Sequence, residues 1–164
     1  MIKTLDELLK IEGSRMKLVV VACQDEDVLE AVIESANLNI SEPILIGSKK
    51  ETKRLAEELK LDISDFRFIE ADDLKTAAEI GVKLVSSGEA DFIMKGLVDT
   101  SILLRAVLDK DWGLRTDSLL SHVMVYEVDS YHKLLYLTDG GMNLNPNVEE
   151  KANIVANAAH VARA

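Results

Sequence analysis

The chain has 164 residues, 48% of them apolar, with 19 lysines and arginines against 29 aspartates and glutamates, for a formal net charge of −10. A compact chain of this length suits one α/β domain, or one domain and the beginning of another, and buries about two-thirds of its extended surface. The apolar content excludes disorder throughout, and the acidic balance excludes a generic reader of nucleic-acid backbones, which needs a basic face.

The N-terminus, Met1-Ile2-Lys3-Thr4-Leu5-Asp6-Glu7, carries acids where a signal peptide has its apolar stretch. No run approaches the roughly 18 consecutive apolar residues of a membrane span. Cys23 is the single cysteine, so neither an intrachain disulfide nor a Cys-based metal cluster is available, and its position just past an apolar run reads as a buried thiol. These features read as a soluble cytoplasmic protein with no membrane and no nucleic-acid partner.

Thr4 stands three residues before Glu7, the spacing of a capping box, and so starts a short helix. Four apolar runs then begin at residues 17, 43, 66 and 91, roughly 25 apart, with helical periodicity between them over 26–37, 51–60 and 73–86. Strands alternating with helices predict βαβ units and a mostly parallel sheet. The unbroken Leu18-Val19-Val20-Val21 run fits a strand covered on both faces. Asp25 is placed to cap the first of these helices, and Ser48 with Glu51 the second. Gly47 closes the second strand, and Ser86-Ser87-Gly88 ends the third helix.

Past residue 94 the rhythm changes. Lys95-Gly96 leads to Asp99-Thr100-Ser101 and a helix to about residue 109, with Ile102, Leu103, Ala106 and Val107 as its apolar face. Residues 112–117 read as a connector. Two more strands are expected over 121–128 and 133–138, too close in sequence for a parallel crossover and therefore a hairpin. A last helix spans 148–163, with Asn147 and Glu150 in capping spacing, Pro146 holding Asn145 extended, and Val148, Ala152, Val155, Ala159 and Ala162 as its apolar positions. The division is therefore a first α/β domain over 1–115 and the beginning of a second α/β domain, containing the hairpin, over 116–164.

In an open α/β sheet ligands bind beyond the carboxyl ends of the strands. Three places qualify: Gln24-Asp25-Glu26, Gly47-Ser48, and Met94-Lys95-Gly96 running into Asp99-Thr100-Ser101. The third combines a lysine at a strand end, a glycine that permits close backbone approach, and hydroxyls at a helix start whose free N–H groups favour an anion, with Arg105 one turn on. The same residues also serve as a solvated lysine, a turn glycine and an ordinary cap. The run Thr138-Asp139-Gly140-Gly141-Met142-Asn143-Leu144-Asn145-Pro146 is richer in glycine and asparagine than a connection needs; it reads equally as an anion nest or as plain turn chemistry. Arg115 fits no apolar periodicity and either pairs with Asp111 or Asp117 or reaches into a cleft. His122, His132 and His160 have no metal spacing, and no GxSxG, P-loop or GxGxxG pattern is present. The acid pairs at 25/27, 72/73 and 149/150 suit helix starts.

Phe92-Ile93-Met94-Lys95-Gly96-Leu97-Val98-Asp99-Thr100-Ser101, then Leu103 to Leu108, Gly113-Leu114-Arg115-Thr116, Ser121-His122-Val123 and the 138–146 run together resemble the phosphate acetyl/butyryltransferase family. The Met-Lys-Gly-Leu-Val-Asp-Thr form is closer to its phosphate butyryltransferase branch than to the acetyl branch. The resemblance implies reversible transfer of an acyl group, butyryl-like, from acyl-CoA to inorganic phosphate. It implies two α/β domains with the site in the cleft between them, a homo-oligomer, commonly a dimer, and no metal or other cofactor, CoA and phosphate being substrates. Carried over by position, Lys95, Gly96, Thr100 and Ser101 border the phosphate region, Arg105 and Arg115 supply guanidinium contacts, and Asp139, Gly140, Gly141 and Asn143 face the cleft from the second domain. No catalytic residue is assigned. Family members are much longer, and a Ser-Arg motif of their later portion has no match here. The chain therefore reads as the N-terminal part of such an enzyme, weak or inactive alone, with a non-catalytic CoA- or phosphate-binding or assembly module as the alternative.

Overall fold

The computed structural model describes residues 2–11 and 13–164. In chain order the elements are α1 (Leu5–Leu9), β1 (Met16–Val21), α2 (Glu26–Asn37), β2 (Ser41–Gly47), α3 (Lys49–Leu59), β3 (Arg67–Glu70), α4 (Leu74–Ser86), β4 (Phe92–Lys95), α5 (Thr100–Val107), β5 (Met124–Tyr126), β6 (Leu135–Leu137) and α6 (Val148–Val161). They fall into two compact units: Gly13–Arg115, and Thr116–Ala164 joined by the N-terminal segment that carries α1.

The larger unit is a parallel four-stranded sheet in the order β3-β2-β1-β4. Val19 lies beside Ile44 and Ile93, and Val20 beside Leu45 and Met94, so alternate residues of each strand feed opposite faces. On one face Val19, Val21, Ile44 and Ile46 pack with Ala77, Ala78 and Val82 of α4 and Leu103 and Ala106 of α5. On the other, Leu18, Val20 and Leu45 pack with Val32 of α2. Right-handed crossovers explain the split: β1-α2-β2-α3-β3 advances in one direction, and the return past β1 to β4 puts α4 on the opposite side. Val19, Val20 and Val21 are wholly buried, as a strand covered on both faces must be.

The helix starts follow the side chains. Asp25 accepts from the N–H of Val28, Ser48 from that of Glu51, and Asp73 from those of Lys75 and Thr76. Bonds from the Thr76 and Lys75 N–H groups and the Thr76 hydroxyl hold the Asp73 carboxyl below its usual range. Close packing of α4 rests on Gly81, where a Cβ would stand 2.6 Å from Val21 Cγ2 and 3.1 Å from Val19 Cγ1.

The smaller unit contains the antiparallel hairpin β5–β6, with Val125 opposite Tyr136. Its strands are shorter than the expected 121–128 and 133–138, because the flanking residues bond into loops instead of the ladder. α1 joins this unit through the Leu5 N–H, which donates to the Glu127 carboxylate at 2.9 Å. The capping box of Asn147 and Glu150 is formed. Two expectations at this end are corrected. Asn145 is not extended: its φ is +55°, a left-handed conformation that asparagine tolerates. The buried face of α6 is centred on Ile154, not on the Val148/Ala152/Val155 row; Val148 is 85% and Val155 64% exposed. Ile154 faces inward on the same side as Asn157, which hydrogen-bonds the loop beneath it at Leu119 O and Ser121 Oγ.

Candidate functional site

The strand order reverses at β1, which has β2 on one side and β4 on the other. The chain departs from β1 and β4 in opposite directions there, leaving a crevice at their carboxyl ends, the place where open α/β sheets bind ligands. Four of the predicted residues, Lys95, Gly96, Thr100 and Ser101, stand at this corner. Gly96 follows β4 and is pinned to β1: its N–H donates to Val21 O and that of Leu97 to Ala22 O, both at 2.8 Å. A Cβ at residue 96 would overlap Ala22 O and approach Val21 O to 2.7 Å. The glycine thus serves close backbone contact with β1. Lys95 turns its ammonium onto the loop it opens, donating to Val98 O at 2.9 Å and Gly96 O at 3.2 Å.

α5 then begins without a side-chain cap. Asp99 occupies the N-cap position, but its carboxylate accepts no bond from the helix. The N–H groups of Ile102 and Leu103 reach Asp99 O, whereas those of Thr100 and Ser101 have no acceptor among the described residues. Both residues are exposed. Two free N–H groups, two hydroxyls and the positive end of a helix dipole form a cradle for an anion. Just past β1, Ala22 is left-handed at φ +57°, a strained state for alanine, and the side chain of Gln24 lies over Gly47 of β2 with a buried Oε1 that has no partner. Nothing in the residue types 22–24 announces either feature.

Arg105 and Arg115 are exposed, and neither pairs with a carboxylate within 4.0 Å among the described residues. The ion pair of Arg115 with Asp111 or Asp117 is therefore not formed. The approach to Arg115 is a docked turn: Leu114 N–H donates to Val107 O at 2.7 Å, and the Lys83 ammonium lies 4.5 Å from the centre of the Trp112 ring. Both Trp112 and Leu114 pack on the sheet core.

In the smaller unit Asp139 organises its own loop. One carboxylate oxygen accepts from the His122 N–H at 2.9 Å, and the other from Asn143 through its N–H at 2.7 Å and Nδ2 at 2.6 Å. The His122 N–H first, and then Asn143, hold the Asp139 carboxyl below its usual range. Asn143 also donates to Leu120 O, and Thr138 to His122 O. These bonds knit 120–122 to 138–143, so Asp139 and Asn143 are committed to the loop, while Gly140 and the left-handed Gly141 stay exposed at its tip. His122, from the Ser121-His122-Val123 run, is part of this knot.

Cys23 is buried and bonded to Thr52, and burial pushes its thiol up, so it has no exposed nucleophile to offer. No group of three or more His, Cys, Asp or Glu is arranged to hold a metal ion among the described residues. No helix among them is long and apolar enough to cross a membrane.

The phosphate acetyl/butaryl transferase family matches over residues 2–80 and 69–164. The chain is 45% identical over 166 residues to phosphate butyryltransferase of Clostridium beijerinckii, covering 100% of this chain and 55% of that protein. It is 43% identical to phosphate butyryltransferase of Clostridium acetobutylicum, with the same coverage. It thus spans about half the length of the curated relatives it matches. A phosphotransacetylase structure from Streptococcus pyogenes superposes with a TM-score of 0.81 at 23% identity, over 97% of this chain and 57% of that one. That likeness is one of fold, and with the match along nearly the whole sequence it leads to one conclusion: the chain belongs to the phosphate acetyl/butaryl transferase family.

Proposed function

We propose that the chain works in reversible acyl transfer between acyl-CoA and inorganic phosphate, giving acyl phosphate and CoA, with a butyryl-type acyl group. The observation that carries this reading is the uncapped start of α5 at the sheet's switch point, in a chain 45% identical to a phosphate butyryltransferase. Phosphate rests on the N–H groups and hydroxyls of Thr100 and Ser101, with Arg105 and Arg115 supplying positive charge. In the smaller unit the exposed Gly140–Gly141 tip, held in shape by Asp139 and Asn143, offers further backbone N–H groups. A phosphate oxygen attacks the thioester carbonyl carbon, a tetrahedral oxyanion forms, and the C–S bond breaks as thiolate leaves with the electron pair. Positioning and oxyanion stabilisation supply the rate, without a covalent acyl-enzyme. With a net charge of −10, capture of three anionic species depends on local positive groups at this corner.

The reading extends to a homo-oligomer, supported by the exposed Leu144, Val148 and Val155. A second reading, a non-catalytic CoA- or phosphate-binding or assembly module, is favoured by the thin core of the smaller unit, where Leu134 and Ile154 are its only buried hydrophobics among the described residues. Thiol release from butyryl-CoA and acetyl-CoA, with and without phosphate, tests the first reading, alongside calorimetry with CoA. Phosphate-dependent release, faster from butyryl-CoA, is expected, at less than about 1 s⁻¹ for the 164-residue chain alone. CoA binding with no release supports the module; neither binding nor release overturns both.

A further inference from the structure

We propose that Lys95 acts on the bound anion through the backbone: it is a positioning residue whose ammonium holds the Gly96–Val98 loop so that the N–H groups of Thr100 and Ser101 point into the crevice. The proposal rests on the anion reading of the α5 start and changes the part played by its lysine. Nζ donates to Val98 O at 2.9 Å and Gly96 O at 3.2 Å, and no carboxylate lies within 4.0 Å of it among the described residues. Gly96 O accepts a second bond, from the Val98 N–H at 2.8 Å. The loop is thereby fastened on both sides, to β1 through Gly96 N–H and Leu97 N–H and to Lys95 through its carbonyls. Val98 is buried, so a released loop would have to expose it or leave its carbonyl without a donor. Two of the three ammonium protons are committed in this way, and α5, whose body is anchored by the buried Leu103 and Ala106, has no side-chain cap to hold its first turn.

Amide NMR of the full 164-residue chain, titrated with inorganic phosphate, separates the possibilities. Lys95→Met removes charge and donors; Lys95→Gln removes the charge and keeps two N–H donors. In Lys95→Met the ligand-free amides of residues 97–101 should shift and exchange faster while Val19–Val21 stay protected, and phosphate affinity should fall by roughly tenfold, about 1.4 kcal/mol. Lys95→Gln should restore the ligand-free amide positions and lie within about threefold of the parent for phosphate, a range set by ordinary donor exchange. Equal loss in both variants, with unchanged ligand-free amides, would mean that the ammonium touches the anion directly and would overturn the proposal. Loss of Val19–Val21 protection in Lys95→Met leaves Lys95→Gln as the deciding variant, judged by the same two readouts. If the parent chain shows no phosphate-dependent shift at Thr100 or Ser101, the anion reading fails, whereas the ligand-free spectra still decide whether Lys95 fastens the loop.

Discussion

Replacing Gly96 with alanine tests whether the candidate corner is held by backbone contact between β4 and β1. A Cβ there would overlap Ala22 O and come within 2.7 Å of Val21 O and 2.9 Å of Ala22 C. These are backbone atoms of the wholly buried Val21 and Ala22, so no flexible side chain can yield. Overpacking of this kind costs about 1–3 kcal/mol. Moving the strands apart far enough to relieve this overlap also weakens or breaks the 2.8 Å bonds from the Gly96 and Leu97 N–H groups, each worth about 0.5–1.5 kcal/mol. The expected loss is about 3 kcal/mol, or a fall in melting temperature of roughly 12 °C or more for a unit of this size. Urea unfolding followed by Trp112 fluorescence reads the larger unit directly, because Trp112 is the chain's one tryptophan. Gly13→Ala, at a glycine with nothing within 4 Å of its added Cβ, is the control and should change stability by less than about 0.5 kcal/mol. A Gly96→Ala protein as stable as the control would refute the close-approach argument and return Gly96 to the role of a glycine facing a ligand.

Gly81→Ala should destabilise the same unit by about 1–3 kcal/mol, since the new methyl meets Val21 Cγ2 at 2.6 Å inside the helix–sheet seam; calorimetric unfolding measures it, and an unchanged or raised melting temperature would contradict the packing described. Asp139 has a lowered carboxyl pKa in the folded chain, so its contribution is fully present above the unfolded value, near 3.8, and is lost as pH falls through the lower folded value. The His122 and Asn143 amide resonances should therefore move together below about pH 4. In Asp139→Asn that acid transition should vanish, and its persistence would assign it to another group. Exchanging Asn147 for alanine removes the α6 capping box and should cost about 1 kcal/mol, seen as faster amide exchange confined to the first turn of α6.

Some of this molecule is written locally and some is not. The Leu18–Val21 run, the recurring strand spacing and the caps Asp25, Ser48 and Asp73 specify strands and helices because each signal acts over a few residues: burial on two faces, a period of 3.6, one oxygen meeting two N–H groups. Family membership was legible for the same reason, being carried by contiguous runs such as 92–101 and 138–146. The α6 face was misread, since five small or β-branched residues at helical spacing look apolar until Ile154 and Asn157 find partners on another segment.

The roles within the candidate corner depended on pairings distant in sequence. Glycine at 96 follows from the carbonyls of residues 21 and 22, seventy-odd positions earlier, and the work of Asp139 follows from an N–H at residue 122. A residue type states what a side chain is able to donate, accept or leave empty. Which backbone arrives to take up that capacity is set by strand order and loop closure, and for Lys95, Gly96 and Asp139 it was the chain's own backbone that arrived.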